Sequence, residues 1–285
     1  MSNSRFIVAR DKNHLLVLIQ NAIKSHGQIC DLNHIDVSQV TDMSRLFYTF
    51  SDFKGFINQW DVSNVTDMSD MFNDSVFNGD ISGWNVSKVR NMSHMFYCSK
   101  FNKSIKAWNV SSVVTMIGMF ENSVFNKSIA SWNVGSVLFM CGMFKKSKFK
   151  GNLSQWNVSK VTNMGTMFEE SSFNGDISKW DVSKVKHMYR MFMHSAFRGN
   201  LSNWSVPRDS EIAFMIKPCV LNDFKEPSFL HWNAVFTNAK IKRWPTQWQQ
   251  HFHDFAPFVR SLGLQDAEAA CMMQNLWNER FQPLT

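Results

Sequence analysis

The chain has 285 residues, 44% of them apolar, and a formal net charge of +7. That apolar fraction excludes a disordered chain, and the length suffices for a large buried core. The mild basic excess permits weak attraction to anionic surfaces but does not identify nucleic acid as a partner.

Five cysteines (Cys30, Cys98, Cys141, Cys219 and Cys271) are odd in number, unrelated in spacing and without a CxxC pair. This excludes a disulfide framework and a zinc cluster, and fits a reducing compartment or buried thiols. No metal or cofactor is expected.

The first elements are a strand over residues 6–9 and an amphipathic helix with Leu15, Leu16, Ile19, Ala22 and Ile23 on one face, stopped by Gly27. Residues 1–34 therefore read as an N-terminal cap. The apolar run from Leu15 to Ile19 ends at Gln20, too short for a secretory core or a membrane span. The expectation is a chain that is cytoplasmic or exported by a route other than Sec.

From residue 35 to 206 one frame recurs seven times. Trp60, Trp84, Trp108, Trp132, Trp156, Trp180 and Trp204 are each 24 residues apart. Met-Phe pairs such as Met95-Phe96 form a second column, and Phe77, Phe101, Phe125, Phe149, Phe173 and Phe197 a third. Ile81, Ile105, Ile129, Leu153, Ile177 and Leu201 form a fourth. The first copy is degenerate, with Ile35 for Trp, Leu46 for Met and one extra residue between Phe47 and Phe53. A terminal copy of that kind suits a solenoid meeting its cap.

Within one copy, Ile81, Trp84 and Val86 suggest a short strand. Val89, Met92, Met95 and Phe96 follow at helical spacing, predicting about two turns of helix. The Gly, Asn and Asp of "FNGD" then supply a turn. The predicted fold is an α/β repeat solenoid in which stacked units share one core, with the N-terminal α/β cap and a C-terminal helical unit.

The frame I-x-x-W-x-V-S-x-V-x-x-M-x-x-M-F-x-x-S, over about residues 30–206, resembles the BspA-type leucine-rich repeat. It is closer to the Trp/Met-rich variant found in many bacterial surface proteins of the BspA-like family, whose lead-in "CDLNHIDVSQVTDMSRLF" also resembles. The resemblance implies a curved solenoid, an interaction role and a place at the cell surface, and it carries no catalytic residues. The chain departs from a surface protein in showing no signal peptide.

Two ladders read as structural. Asp61, Asn85, Asn109, Asn133, Asn157 and Asp181 are expected to hydrogen-bond along the stack, which makes the sequons at Asn85, Asn109 and Asn157 part of the repeat rather than glycosylation sites. Ser75, Ser99, Ser123, Ser147, Ser171 and Ser195 are expected to satisfy backbone groups in a tight turn. The basic run "KKSKFK", 145–150, faces Glu121 one unit earlier and Glu169 and Glu170 one unit later. It reads as a paired, solvated face, which argues against nucleic acid.

One irregularity points to function. Where other units carry polar residues (Arg90, Asn91, Ser93 and Thr162, Asn163, Gly165), two adjacent units carry Val114, Ile117, Leu138, Phe139 and Cys141. These form an apolar island on the predicted helical face, with Gly118 and Gly142 at its edge, and are the candidate protein-binding residues. The other reading of the island is internal: a terminal segment covers it, or those units pack more deeply.

From Pro207 the repeat is gone, and 207–285 reads as a helical cap or small domain with Phe229, Trp232 and Phe236, then Trp248, Phe252 and Phe255, then Ala270, Met273, Trp277 and Phe281 at helical spacing. Its His251, His253 and Asp254 do not share a helix face as metal ligands do, and Cys271 has no base nearby in sequence. The function expected is non-enzymatic binding to another protein or to a second copy. The alternative is an effector whose activity lies in 207–285 and whose repeats target it.

Overall fold

A computed structural model describes residues 7–201, 203–207 and 210–211. The expected helical unit at 207–285 therefore lies outside the described residues but for its first positions, and so do Cys219, His251, His253, Asp254 and Cys271.

The N-terminal elements follow their sequence signals. Strand β1 (Ile7–Val8) pairs in parallel with β2 (Ile35–Asp36), Ile7 opposite Ile35. Between them runs helix α1 (Lys12–His26). The Asp11 carboxylate caps it by accepting from the His14 N–H at 2.8 Å, and the Gly27 N–H closes it on the Ile23 carbonyl at 2.8 Å. Gly27 takes φ +78°, a left-handed value that glycine reaches without strain. Leu15 and Ile19 are fully buried, with Leu16, Ala22 and Ile23 packed beside them.

Beyond β2 the 24-residue units stack in parallel. Single β-bridges join Asp42, Asp67, Asn91, Thr115, Phe139, Asn163, His187 and Glu211 in one unbroken row. Around each bridge the same bonds recur, as where the Arg90 N–H donates to Thr66 O at 2.8 Å and the Met92 N–H to Thr115 O at 3.0 Å. The row continues past residue 206 to Glu211, whose N–H reaches Lys186 O at 2.6 Å.

The interior of each unit differs from the predicted strand and helix. Residues 81–84 form a turn, closed by the Trp84 N–H on Ile81 O at 3.2 Å, and the extended bridge falls at Asn91, inside the predicted helix. The arc after it is a chain of turns. Met95, Tyr97 and Ser99 donate back three residues, while His94, Phe96 and Cys98 donate to Ile117, Met119 and Glu121 in the next unit at 2.7–3.0 Å. His94 and Cys98 take φ +54° and +52°, which no α-helix admits. A helix would direct every N–H inside its own segment; here every second one joins the neighbouring unit, so stacking saturates the backbone. The spacing of Val89, Met92, Met95 and Phe96 reports which side chains point inward, and turns satisfy it as well as a helix does.

The core is the set of columns. Phe72, Phe96 and Phe120 stack with ring centroids 5.7 Å apart, and Trp108 lies 6.5 Å from Trp132. Each buried indole N–H donates to a carbonyl of the preceding unit, Trp84 to Ile57 O at 3.1 Å and Trp204 to Ile177 O at 3.0 Å. The extra residue of the first unit is taken up by a 3-10 turn at Tyr48–Phe50.

Candidate functional site

The five island residues do come together. Leu138 stacks on Val114, its N–H donating to the Val114 carbonyl at 2.8 Å, and Cys141 follows Ile117 in the adjoining column. Phe139 sits in the bridge row between Thr115 and Asn163. The island thus lies along the bridge row and the start of the turn arc rather than on a helical face. Phe139 is 39% exposed, and Val114, Ile117, Leu138 and Cys141 are half-buried. The other side chains of Phe139's row are Asp42, Asp67, Asn91, Thr115, Asn163, His187 and Glu211, all polar. Nothing in the repeat requires an aromatic ring there.

Beside the island, Gly118 and Gly142 leave room that neighbouring side chains occupy. Gly118 and Gly142 take φ +56° and +64°, at a position where other units place Asp70, His94, Thr166 and Arg190 with equally positive φ. The His94 ring fills the space over Gly118, where a Cβ would come within 2.3 Å of Nδ1. A Cβ at either glycine would also stand 3.3 Å from Glu121 Oε2. Glu121 thus lays its carboxylate over the gap left by two missing side chains. Burial raises its pKa above the ordinary carboxylate value, against the opposing pull of Lys145, His94 and Lys146. Burial, then the charge of Glu121, likewise pushes the Cys141 thiol up, which keeps it protonated and unreactive. The signal for Glu121 was available: it is the single acid between residues 81 and 168.

The basic run divides. Lys145 meets Glu169 at 3.1 Å and Lys146 meets Glu170 at 3.8 Å, as column alignment predicts. Arg190 joins Glu169 from the other side at 2.5 Å. The Glu169 side chain is 1% exposed, so its two ion pairs do the work of solvent; neither has hydrogen-bonding geometry. Lys148 and Lys150, by contrast, are exposed on another stretch of the unit and appear in none of the described ion pairs.

The serine column behaves as expected. Buried Ser75, Ser99 and Ser123 accept from the N–H two residues on at 3.1 Å and donate to a carbonyl one unit back. The Asp/Asn column does not. Asp61, Asn85, Asn109, Asn133, Asn157 and Asp181 each accept from their own chain two residues ahead, as where the Ser87 N–H reaches Asn85 Oδ1 at 3.2 Å. These exposed side chains close local turns, because an Asx oxygen finds the i+2 N–H sooner than a neighbour one unit away. The ladder between units is built elsewhere, by Asn78, Asn102 and Asn126.

Cys30, Cys98 and Cys141 are free thiols. Among the described residues no cluster of His, Cys, Asp or Glu is placed to hold a metal ion, and no helix is long and apolar enough to cross a membrane.

With this geometry in view, comparison with known proteins is informative at one level. The sequence matches the profile of a family described as "Mycoplasma protein of unknown function, DUF285" twice, over residues 18–127 and 118–232. The two matches overlap and together span the whole repeat region, residues 35–206. No curated protein and no solved structure matches the chain.

Proposed function

The chain belongs to the Mycoplasma protein family DUF285 and is a repeat protein; on that premise we propose a leucine-rich-repeat-like solenoid of BspA-like character that acts as a non-enzymatic binding module. Its partner is another protein, and the contact is the island of Val114, Ile117, Leu138, Phe139 and Cys141. The observation that carries this reading is the exposure of Phe139 in a row whose every other member is polar. A stack that needs only a bridge at this position gains nothing from exposing a ring, whereas an interface does: large apolar anchors supply most of a contact's energy. The polar groups support the same reading, since the serine hydroxyls and Asx oxygens are engaged in holding turns and units.

The test is site-specific photocrosslinking in the native cell, with the crosslinker at position 139 and, as control, at 163. Adducts of a defined mass at 139 alone support the reading. Adducts of twice the chain mass identify a second copy as the occupant. Equal labelling at both positions, or none, removes the island as the contact.

A further inference from the structure

The charges of the middle units are segregated to a degree that stacking does not explain. From Ile81 to Phe168 the chain carries eleven Lys and Arg and one acid, Glu121. Lys145 and Lys146 are matched by Glu169 and Glu170. Lys100, Lys103, Lys127, Lys148 and Lys150 are exposed and take part in none of the described ion pairs. All five fall between the serine column and the tryptophan turn of three consecutive units. Lys103 and Lys127 share one column, Lys100 and Lys148 another. The acids bordering this stretch, Asp80 and Asp176, each accept the N–H of a local serine at 2.9 Å.

The ground between these lysines has the same polarity. Asn78, Asn102 and Asn126 each accept, through Oδ1, an N–H of the following unit at 2.9–3.0 Å. Their acceptors are thereby engaged, while their Nδ2 groups make none of the described hydrogen bonds and remain available as donors. The face offers ammonium and amide N–H, the complement of an array of oxyanions. Three absences among these residues narrow the occupant. The phenylalanines of this stretch, Phe101, Phe125 and Phe149, are fully buried, so no ring is presented for base stacking. No arginine is among the five cations, so the bidentate fork that reads phosphates and base edges is missing. The apolar side chain in the column of Lys100 and Lys148, Val124, is half-buried, and no large exposed apolar residue stands among the lysines, as the core of a protein contact requires. We infer that this lysine face, distinct from the apolar island, docks the chain on a lipid surface carrying anionic headgroups.

The experiment is co-sedimentation of the full chain with phosphatidylcholine vesicles, with and without phosphatidylserine. Binding is expected only with phosphatidylserine, and is expected to fall as salt rises. The combined variant Lys103→Gln, Lys127→Gln, Lys148→Gln should weaken it on the order of a hundredfold, at about fivefold per lysine. Lys88→Gln, Lys160→Gln, Lys184→Gln removes the same charge from exposed positions of a different column and should retain most of the binding. Equal losses in the two variants would reduce the effect to net charge and overturn the assignment. So would binding independent of phosphatidylserine, or tighter binding to duplex DNA than to the vesicles at the same salt. Circular dichroism of both variants, at exposed sites, separates loss of binding from loss of fold.

Discussion

The indole N–H of Trp156 donates to the carbonyl of Ile129, one unit back, at 3.1 Å, while its ring is 4% exposed. One side chain thus fills the core and ties two units together. Trp156→Ala should destabilise the chain by about 3–5 kcal/mol, as large aromatic truncations in packed interiors do. Trp156→Phe keeps most of the packing, and the Ile129 carbonyl retains its other donor, the Trp132 N–H at 3.1 Å, so it should cost less than the alanine change, with about 0.5–1.5 kcal/mol for the lost hydrogen bond. Lys160→Ala, at an exposed position, should stay within about 0.5 kcal/mol. Urea midpoints in that order check the assignment; similar losses at 156 and 160 would reverse inside and outside.

Glycines separate hard contacts from soft ones. A Cβ at Gly55 would stand 1.9 Å from the backbone oxygen of Cys30, which the pairing of residues 30–32 with Phe56 holds in place. At Gly79 and Gly151 in the same column the obstacle is only a Phe ring, and at positions 103 and 127 the column accommodates lysine. Gly55→Ala should therefore destabilise by about 1–3 kcal/mol or more, and Gly151→Ala by less. Gly83 has nothing within 4 Å of a built Cβ, and Gly83→Ala should be neutral or stabilise by about 0.4–1 kcal/mol. Thermal midpoints of the three variants give the order directly.

What could be read in the sequence, and what could not, divides on a physical line. The Trp, Met and Phe columns were legible because burial demands a large apolar side chain at the same place in every unit. The island was legible as a departure from that frame. Backbone partners were not: the His94 N–H reaching Ile117 and the Arg90 N–H reaching Thr66 span neighbouring units, and side-chain spacing carries no trace of them. Left-handed positions were equally hidden, since Asp70, His94, Thr166 and Arg190 occupy them instead of glycine. For the same reason Asn85 and Asn102 look alike in sequence, yet one closes its own turn and the other bridges units.

Glu121 should make stability depend on pH in a direction opposite to most carboxylates. Burial raises its folded pKa, so the folded state disfavours the charged form. Its contribution is fully favourable below the unfolded value, about 4.3, and is lost as pH rises through the folded value. Glu121→Gln should therefore stabilise the chain at neutral pH, with the gain vanishing below about pH 4. Asp61 is the contrast: the Ser63 side chain, then its backbone N–H, lower the pKa, so stability from Asp61 is lost as pH falls. Denaturation of the wild type and Glu121→Gln at several pH values distinguishes the two; a gain that grows on acidification would contradict the assigned burial.

Register gives a stricter test of the stack. Hydrogen bonds between units join residues 23 to 25 positions apart along the bridge row and the turn arc, as with His94 to Ile117 and Arg90 to Thr66. Deleting 109–132, one full unit, brings equivalent columns together and should leave a folded, shorter chain. Deleting 12 residues from the same place sets Trp against the turn arc and should abolish cooperative unfolding. Equal collapse of both, followed by circular dichroism, would mean that the units are not interchangeable neighbours.

The island makes a prediction about the isolated chain as well as about its partner. Phe139 is 39% exposed in a row of polar residues, so Phe139→Ser should change stability by no more than about 0.5 kcal/mol. Leu138 is half-buried over Val114, and Leu138→Asp should be somewhat more destabilising, about 1–2 kcal/mol, through lost apolar contact and partial desolvation of the new charge. The matching change one unit later is Thr162→Asp with Asn163→Ser. It should weaken local bonds, since Thr162 Oγ1 donates to Leu138 O at 3.2 Å and Asn163 Oδ1 accepts from the Gly165 N–H at 2.9 Å, yet leave partner capture intact. The informative outcome is the crossing of two orders. By stability Phe139→Ser should be the mildest of the changes, and by loss of crosslinking or binding it should be among the most severe. If Phe139→Ser instead unfolds the monomer, the ring is covered by the protein's own chain, and the island is a piece of core rather than a contact.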